Sequence, residues 1–419
     1  MTSANMRKMV LAVAATALGC VSASAAPDVV VTSVSQSDSR MLTVTYNLSG
    51  EDAVVTLGIE TNTQADASGE WVSIGAENIK FVSGDANRKV TAGTGKTIMW
   101  AARKSWPDHN IKTPTVRAVV RAWALTEPPD YMVLDLKGSK VVRYYEDVRQ
   151  LPAANGIDDD LYRTSELVMR RVHAKNVEWY MGSPSTELGR NTTDWDALET
   201  RHAVTLTNDY YLAVYPTTLR HHALLRDGTA AAETRLSPAI ELSYNMLRYA
   251  AGNNNNTALP INFPGTTHRT QVGGSSLLRA FRNRTGLELD LPTSAQWEFA
   301  CRAGSDTPIY THPTVSDGTM ANLNYIAASY GEVGRMGCNN WYLYDMLGNV
   351  YEWCLDYFED QITADAVVDP LGPLSESQVR RKIRGYHDQR IHWRSSFFSG
   401  SAHLTKQTVI GYRLCITLP

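Results

Sequence analysis

Two consecutive prolines, Pro128 and Pro129, divide the chain into a shorter N-terminal and a longer C-terminal part that no single element can bridge. Each lacks a backbone N–H and holds φ at about −65°, so the pair enforces an extended break. On the N-terminal side, from residue 29 to about 124, apolar residues alternate with polar ones. Leu42, Val44, Tyr46 and Leu48 are separated by Thr43, Thr45 and Asn47, and Val55, Leu57 and Ile59 repeat the pattern. Turn-forming residues cluster at 49–52, 61–69 and 83–87. Period two with closely spaced turns predicts a β-sandwich of the immunoglobulin or fibronectin type III kind, without a helix. No cluster of ionisable residues marks a site here, so this half is expected to be a spacer or adhesion module.

The start of the chain reads as a targeting segment. Arg7 and Lys8 precede an apolar run from Met9 to Val21, and Ala23-Ser24-Ala25 supplies the small residues of a cleavage site. The run is too short to span a membrane, and no transmembrane span is expected. Lipidation at Cys20 is the less favoured alternative, because Ala17 is a poor start for a lipobox. Export to the periplasm, cell surface or medium follows. The mature chain keeps Cys301, Cys338, Cys354 and Cys415. They either pair in one of three connectivities or serve as small buried hydrophobes. With 40 Lys+Arg against 43 Asp+Glu, the net charge of −3 supplies no basic field for nucleic acid. The expected organisation is a signal peptide at 1–25, a sandwich at 26–125, a linker at 126–166 and a second domain at 167–419.

Beyond residue 131 the pattern mixes helix, strand and long loop. Helices are predicted at 217–226, stopped by Asp227-Gly228; at 238–251, with Ser237 as cap and Pro238 first; and at 275–285, closed by Gly286. Thr293-Ser294-Ala295-Gln296 is a capping box opening a short helix that ends at Gly304. After it, glycine, asparagine and aromatics follow no period. That composition predicts a loop-rich region held by an ion or by internal hydrogen bonds.

Four blocks, in order, resemble the formylglycine-generating enzyme (sulfatase-modifying factor) family. They are Tyr180-Met181-Gly182-Ser183-Pro184, followed by Glu199, His202 and Val204-Thr205-Leu206; the ten residues from Leu291 to Ala300; the eleven from Leu343 to Trp353; and Ile410-Gly411-Tyr412-Arg413-Leu414. The resemblance covers about 167–419 and implies an α+β, C-type-lectin-like fold. In the third block, Asp345 and Glu352 flank Gly348-Asn349, a pair that permits a sharp turn and inward carbonyls. Carboxylates with carbonyls form the hard-oxygen set that calcium prefers. The resemblance implies structural calcium on the side chains of Asp345 and Glu352 and the carbonyls of Gly348 and Val350. A second family calcium site, at Asn322 and Leu323, is not expected, because residues 324–340 contain no Asp.

The chain departs from the family where the chemistry lies. Enzymes of the family hold copper on two cysteines, five apart, after an Arg-Gly-Gly motif. Here the segment begins Arg384-Gly385-Tyr386, and no cysteine occurs between Cys354 and Cys415. Copper is therefore not expected, since Cu(I) requires soft thiolates. His387, His392 and His403 fit no metal spacing, and the adjacent His221-His222 cannot act as a pair on one helix face. The segment is nevertheless rich in side chains that anchor ligands, with Tyr386, His387, Arg390, Trp393 and Arg394 as candidates. The fold is also used by related proteins that only bind. The expectation is an exported family member that binds a peptide, protein or glycan; the alternative is an active oxidase acting on exported sulfatases with an altered centre.

Overall fold

A computed structural model describes residues 25–107, 109, 115–138, 140–187, 190, 196–228, 236–249, 272–310, 331–335, 337–372, 379–386 and 392–419. The proposed signal segment, apart from Ala25, and Asn322, Leu323, His387 and Arg390 lie outside the described residues.

The N-terminal half is a pair of facing sheets. Strands β1 (Asp28–Gln36), β2 (Met41–Ser49), β5 (Val82–Gly84) and β7 (Gly93–Ala101) pair in the order β1-β2-β7-β5. Opposite them, β3 (Ala53–Asn62) pairs with β4 (Trp71–Ser73), β6 (Arg88–Val90) and β8 (Val116–Ala124). The alternating residues read from the sequence form the core between them, with Leu42, Val44, Tyr46, Leu48 and Trp100 of one sheet against Val55, Leu57 and Ile59 of the other. One helical turn, Ala102–Ser105, interrupts the all-β expectation where the buried Ala102 accepts a hydrogen bond from the Trp106 amide.

The C-terminal half holds three further sheets among the described residues. The largest joins β9 (Tyr131–Asp135), β10 (Val142–Tyr145), β11 (Glu166–Val172), β14 (Tyr210–Ala213) and β20 (Cys415–Thr417) in the order β10-β9-β11-β14-β20. Segment 126–166, expected as a linker or entry segment, gives this sheet two strands. Its paired prolines are fastened too. Arg171 Nη1 donates to the Pro128 carbonyl at 2.6 Å, and the Tyr211 hydroxyl donates to that of Pro129. The sandwich meets this sheet through the Tyr144 amide on the Asn87 carbonyl, 2.8 Å, and an Arg121–Glu146 ion pair.

A second sheet runs β18-β17-β15-β19, from Phe398–Ala402, Arg380–Arg384, Tyr351–Tyr357 and Ile410–Gly411 respectively. The third is small, with β12 (Val177–Met181) at one edge, β13 (His202–Leu206) in the centre and β16 (Val367–Val368) at the other edge. The chain is therefore α+β, strand-rich, with short helices packed on the sheets.

Three predicted helices are present. Leu219–Asp227 is capped by Thr218 and closed by Gly228 at φ 73°, Leu277–Thr285 by Ser276 and Gly286 at φ 71°, and Ser294–Arg302 carries both halves of the capping box. The helix expected at 238–251 is only Tyr244–Arg248 in the described residues, capped by Ser243. The Ala239 amide bonds to the Thr217 carbonyl instead, and Pro238 bridges Thr218, so this backbone is extended. The supposedly loop-rich tail carries β15, β17 and β18. Six of the seven β15 residues are buried, and a strand buried on both faces shows no alternation to read.

Candidate functional site

A buried charge network forms where β12 ends. Gly182 turns the chain at φ 85°, and a Cβ there would lie 2.8 Å from the Glu199 carbonyl and 2.7 Å from that of Thr200, so only glycine fits. The Ser183 amide donates to the Glu199 carbonyl, which brings the Glu199 carboxylate to the Ser183 hydroxyl at 2.8 Å. Arg394 then bridges two acids. Its Nη1 lies 2.7 Å from both Glu187 Oε1 and Glu199 Oε2, and its Nη2 lies 2.6 Å from Glu199 Oε1. On the other side of Gly182, Glu298 Oε1 accepts the Gly182 amide at 2.9 Å and Arg302 Nη2 at 2.8 Å, while Arg384 Nη2 approaches Glu298 Oε2 at 2.9 Å. Glu187, Glu199 and Glu298 thus face Arg302, Arg384 and Arg394, equal numbers of each sign in the interior. Burial pushes the Glu187 carboxyl up despite Arg394. Burial would raise Glu199 as well, but hydrogen bonds and charge from Arg394, with Ser183 and Ser396, hold it below the usual carboxylate range.

This network corrects the ligand-binding assignment of Arg394 and Trp393. Both are 1% exposed. Arg394 spends its guanidinium on Glu187 and Glu199, and Trp393 sits in the core with Tyr386, their ring centroids 6.2 Å apart. Among the described residues of this segment, Tyr386, Trp393 and Arg394 are all buried in the interior.

The Asp345–Glu352 block makes the expected turn, with positive φ at Asp345 (54°), Gly348 (100°) and Asn349 (61°). Asp345 Oδ2 accepts the Gly334 amide at 2.6 Å. Glu352 Oε2 accepts Trp297 Nε1 at 2.7 Å and Arg413 Nε at 3.0 Å, and Oε1 accepts Arg413 Nη2 at 2.9 Å. The oxygen donors suit calcium in kind, but Arg413 already matches the charge of Glu352. Among the described residues no group of three or more His, Cys, Asp or Glu gathers as a metal centre.

Three of the four thiols, Cys301, Cys354 and Cys415, are buried. None of the four cysteines of 301–415 is in a disulfide. Burial pushes the Cys301 thiol up to about 12 and that of Cys354 well above its ordinary value, and it raises half-buried Cys338 as well. Nucleophilic or copper-binding cysteines need the opposite shift. The histidines are equally dispersed. His221 and His222 are pushed down to about 4 by burial within their helix, and His403 Nδ1 lies 2.6 Å from the Val379 carbonyl.

The cleft itself lies beside β12, about 530 Å³ in volume, with Trp179, Tyr180, Arg201, Phe299, Arg302 and Asp306 in its lining. Trp179 and Phe299 meet at 5.3 Å, and the Arg201 guanidinium lies 4.2 Å from the centre of the Tyr180 ring. Tyr180 is 52% exposed. In the sequence Tyr180 stands only within a family motif; the two consecutive aromatics Trp179-Tyr180 just before Gly182 are the signal that could mark the cleft.

Residues 218–418 match the family described as Sulfatase-modifying factor enzyme 1-like domain. That part of the chain is a domain of the sulfatase-modifying factor family. The formylglycine-generating enzyme of Mus musculus is 29% identical over 110 residues, and the serine/threonine-protein kinase pkn1 of Chlamydia pneumoniae 33% identical over 96. Each match covers 23% of this chain, and 30% and 15% of those relatives respectively. Among solved structures, PvdO from Pseudomonas aeruginosa is similar over 60% of this chain and 94% of its own, at 22% identity and a TM-score of 0.43. Treponema denticola variable protein 1 is similar over 61% and 96%, at 19% identity and 0.41.

Proposed function

We propose that this is an exported, non-oxidising member of the family that binds a ligand through the cleft beside β12. The observation that carries this reading is the state of its thiols. No cysteine lies between Cys354 and Cys415, and Cys301, Cys354 and Cys415 are each no more than 1% exposed. An accessible pair of low-pKa thiolates, the requirement for Cu(I), is missing from this part of the chain. The cleft supports binding, since aromatic faces and Arg guanidinium groups carry large contact area with polar tips. We further propose that calcium binds the Asp345, Gly348, Val350 and Glu352 group weakly, because Arg413 removes one of its two negative charges. Titration with Cu(I) against a competing chromogenic chelator tests the main reading. The protein should leave the chelator complex intact, and stoichiometric withdrawal of copper would overturn it.

A further inference from the structure

The small sheet ends on β12, and no described strand pairs with its outer edge. An open edge presents main-chain N–H and C=O groups to any extended chain. In the cleft, Arg201, which leads into β13 on the paired side of β12, lies over the Tyr180 ring and has no carboxylate partner among the described residues. Stacking fixes the guanidinium plane while leaving its N–H fork directed at solvent, the geometry that takes a carboxylate. Asp306, in the lining of the same cleft, likewise has no cationic partner among the described residues. The Trp179 indole N–H is buried without an acceptor.

Resting on the binding reading above, we infer that the cleft takes an extended peptide segment that adds to β12 as a further strand. Its acidic side chain pairs with Arg201, and an apolar side chain lies against Trp179, Tyr180 and Phe299. Asp306 opposes a run of acids, so the segment that fits is mixed in charge, with a basic or amide group near its acidic one. A neutral glycan would use the aromatic faces but leave the strand edge and Arg201 unmatched.

The test uses the purified full chain on an array of short synthetic peptides, each carrying one acidic and one basic residue among apolar ones. Twin peptides replace the acid by its amide, and a glycan array runs in parallel. Acid-bearing peptides should bind, and Arg201→Gln should lower their affinity roughly tenfold and erase the difference between acid and amide twins. The melting temperature of that variant should match the wild type, because Arg201 supports no ion pair in the fold. Tyr180→Ala should weaken acid and amide twins alike. Binding on the glycan array alone, peptide binding indifferent to Arg201→Gln, or no binding on either array overturns the inference. The first two of these results leave the non-oxidising binding reading standing, whereas withdrawal of copper from the chelator would remove that reading and leave the peptide result to be judged alone.

Discussion

Arg394 forms a two-pronged ion pair with Glu199, a residue 195 positions earlier in the chain, at 2.7 and 2.6 Å. The pair ties the C-terminal segment to Glu199, whose carboxylate also accepts the Ser183 hydroxyl in the turn after β12. Breaking one partner of a buried pair leaves the other charge unsolvated, at a cost of about 3–5 kcal/mol. Arg394→Ala should therefore lower stability by about that amount in urea unfolding, since it strands both Glu199 and Glu187. A variant of unchanged stability that had lost a ligand instead would restore Arg394 as a surface contact.

His173 fastens the segment after the paired prolines, with Nε2 2.7 Å from Asp130 and Nδ1 3.6 Å from Asp209. Hydrogen bonds to these two carboxylates raise its pKa from 6.5 to about 9 against the opposing effect of partial burial. A raised imidazole pKa means the folded state binds the proton more tightly. Its contribution is fully present below the unfolded value of 6.5 and fades as pH rises through about 9. Thermal melts across that window should show a decline that His173→Gln flattens. An identical pH profile for the variant would refute the clamp.

Calcium should act only at high concentration. With Glu352 matched by Arg413, low ligand charge places the affinity on the order of 10⁻⁴–10⁻³ M. The melting temperature should rise only as calcium enters that range, and Asp345→Asn should abolish the rise. Glu352→Gln should lower the melting temperature even without calcium, because it unpairs Arg413. Micromolar affinity by calorimetry would contradict this charge assignment.

Thiol labelling checks the interior. In the native protein at neutral pH, iodoacetamide followed by peptide mapping should modify half-exposed Cys338 and spare Cys301, Cys354 and Cys415 until denaturant is added. Fast native labelling of Cys301 or Cys354 would mean an accessible thiolate.

The sandwich was legible because its strands have one wet face, so Leu42, Val44, Tyr46 and Leu48 alternate visibly with polar neighbours. Local capping chemistry was equally readable: Thr293 with Gln296, and glycines 228 and 286, mark helix ends through contacts within a few residues. The charge network was not readable. Glu187, Glu199, Glu298, Arg302, Arg384 and Arg394 come together only through long-range packing, and a buried Arg looks like a ligand contact in sequence. The same ambiguity hid Trp393, whose burial depends on strands with no alternation. Arg413, the residue that changes the calcium argument, lay within a recognised motif but had no visible partner 61 positions away.

The most direct measurement is mass spectrometry of a short peptide bearing a sulfatase-type cysteine after incubation with this protein, copper and oxygen. The cysteine should return unchanged, since Cys301, Cys354 and Cys415 are buried and no other cysteine lies between 354 and 415. Conversion of that cysteine to the formylglycine aldehyde would contradict this expectation.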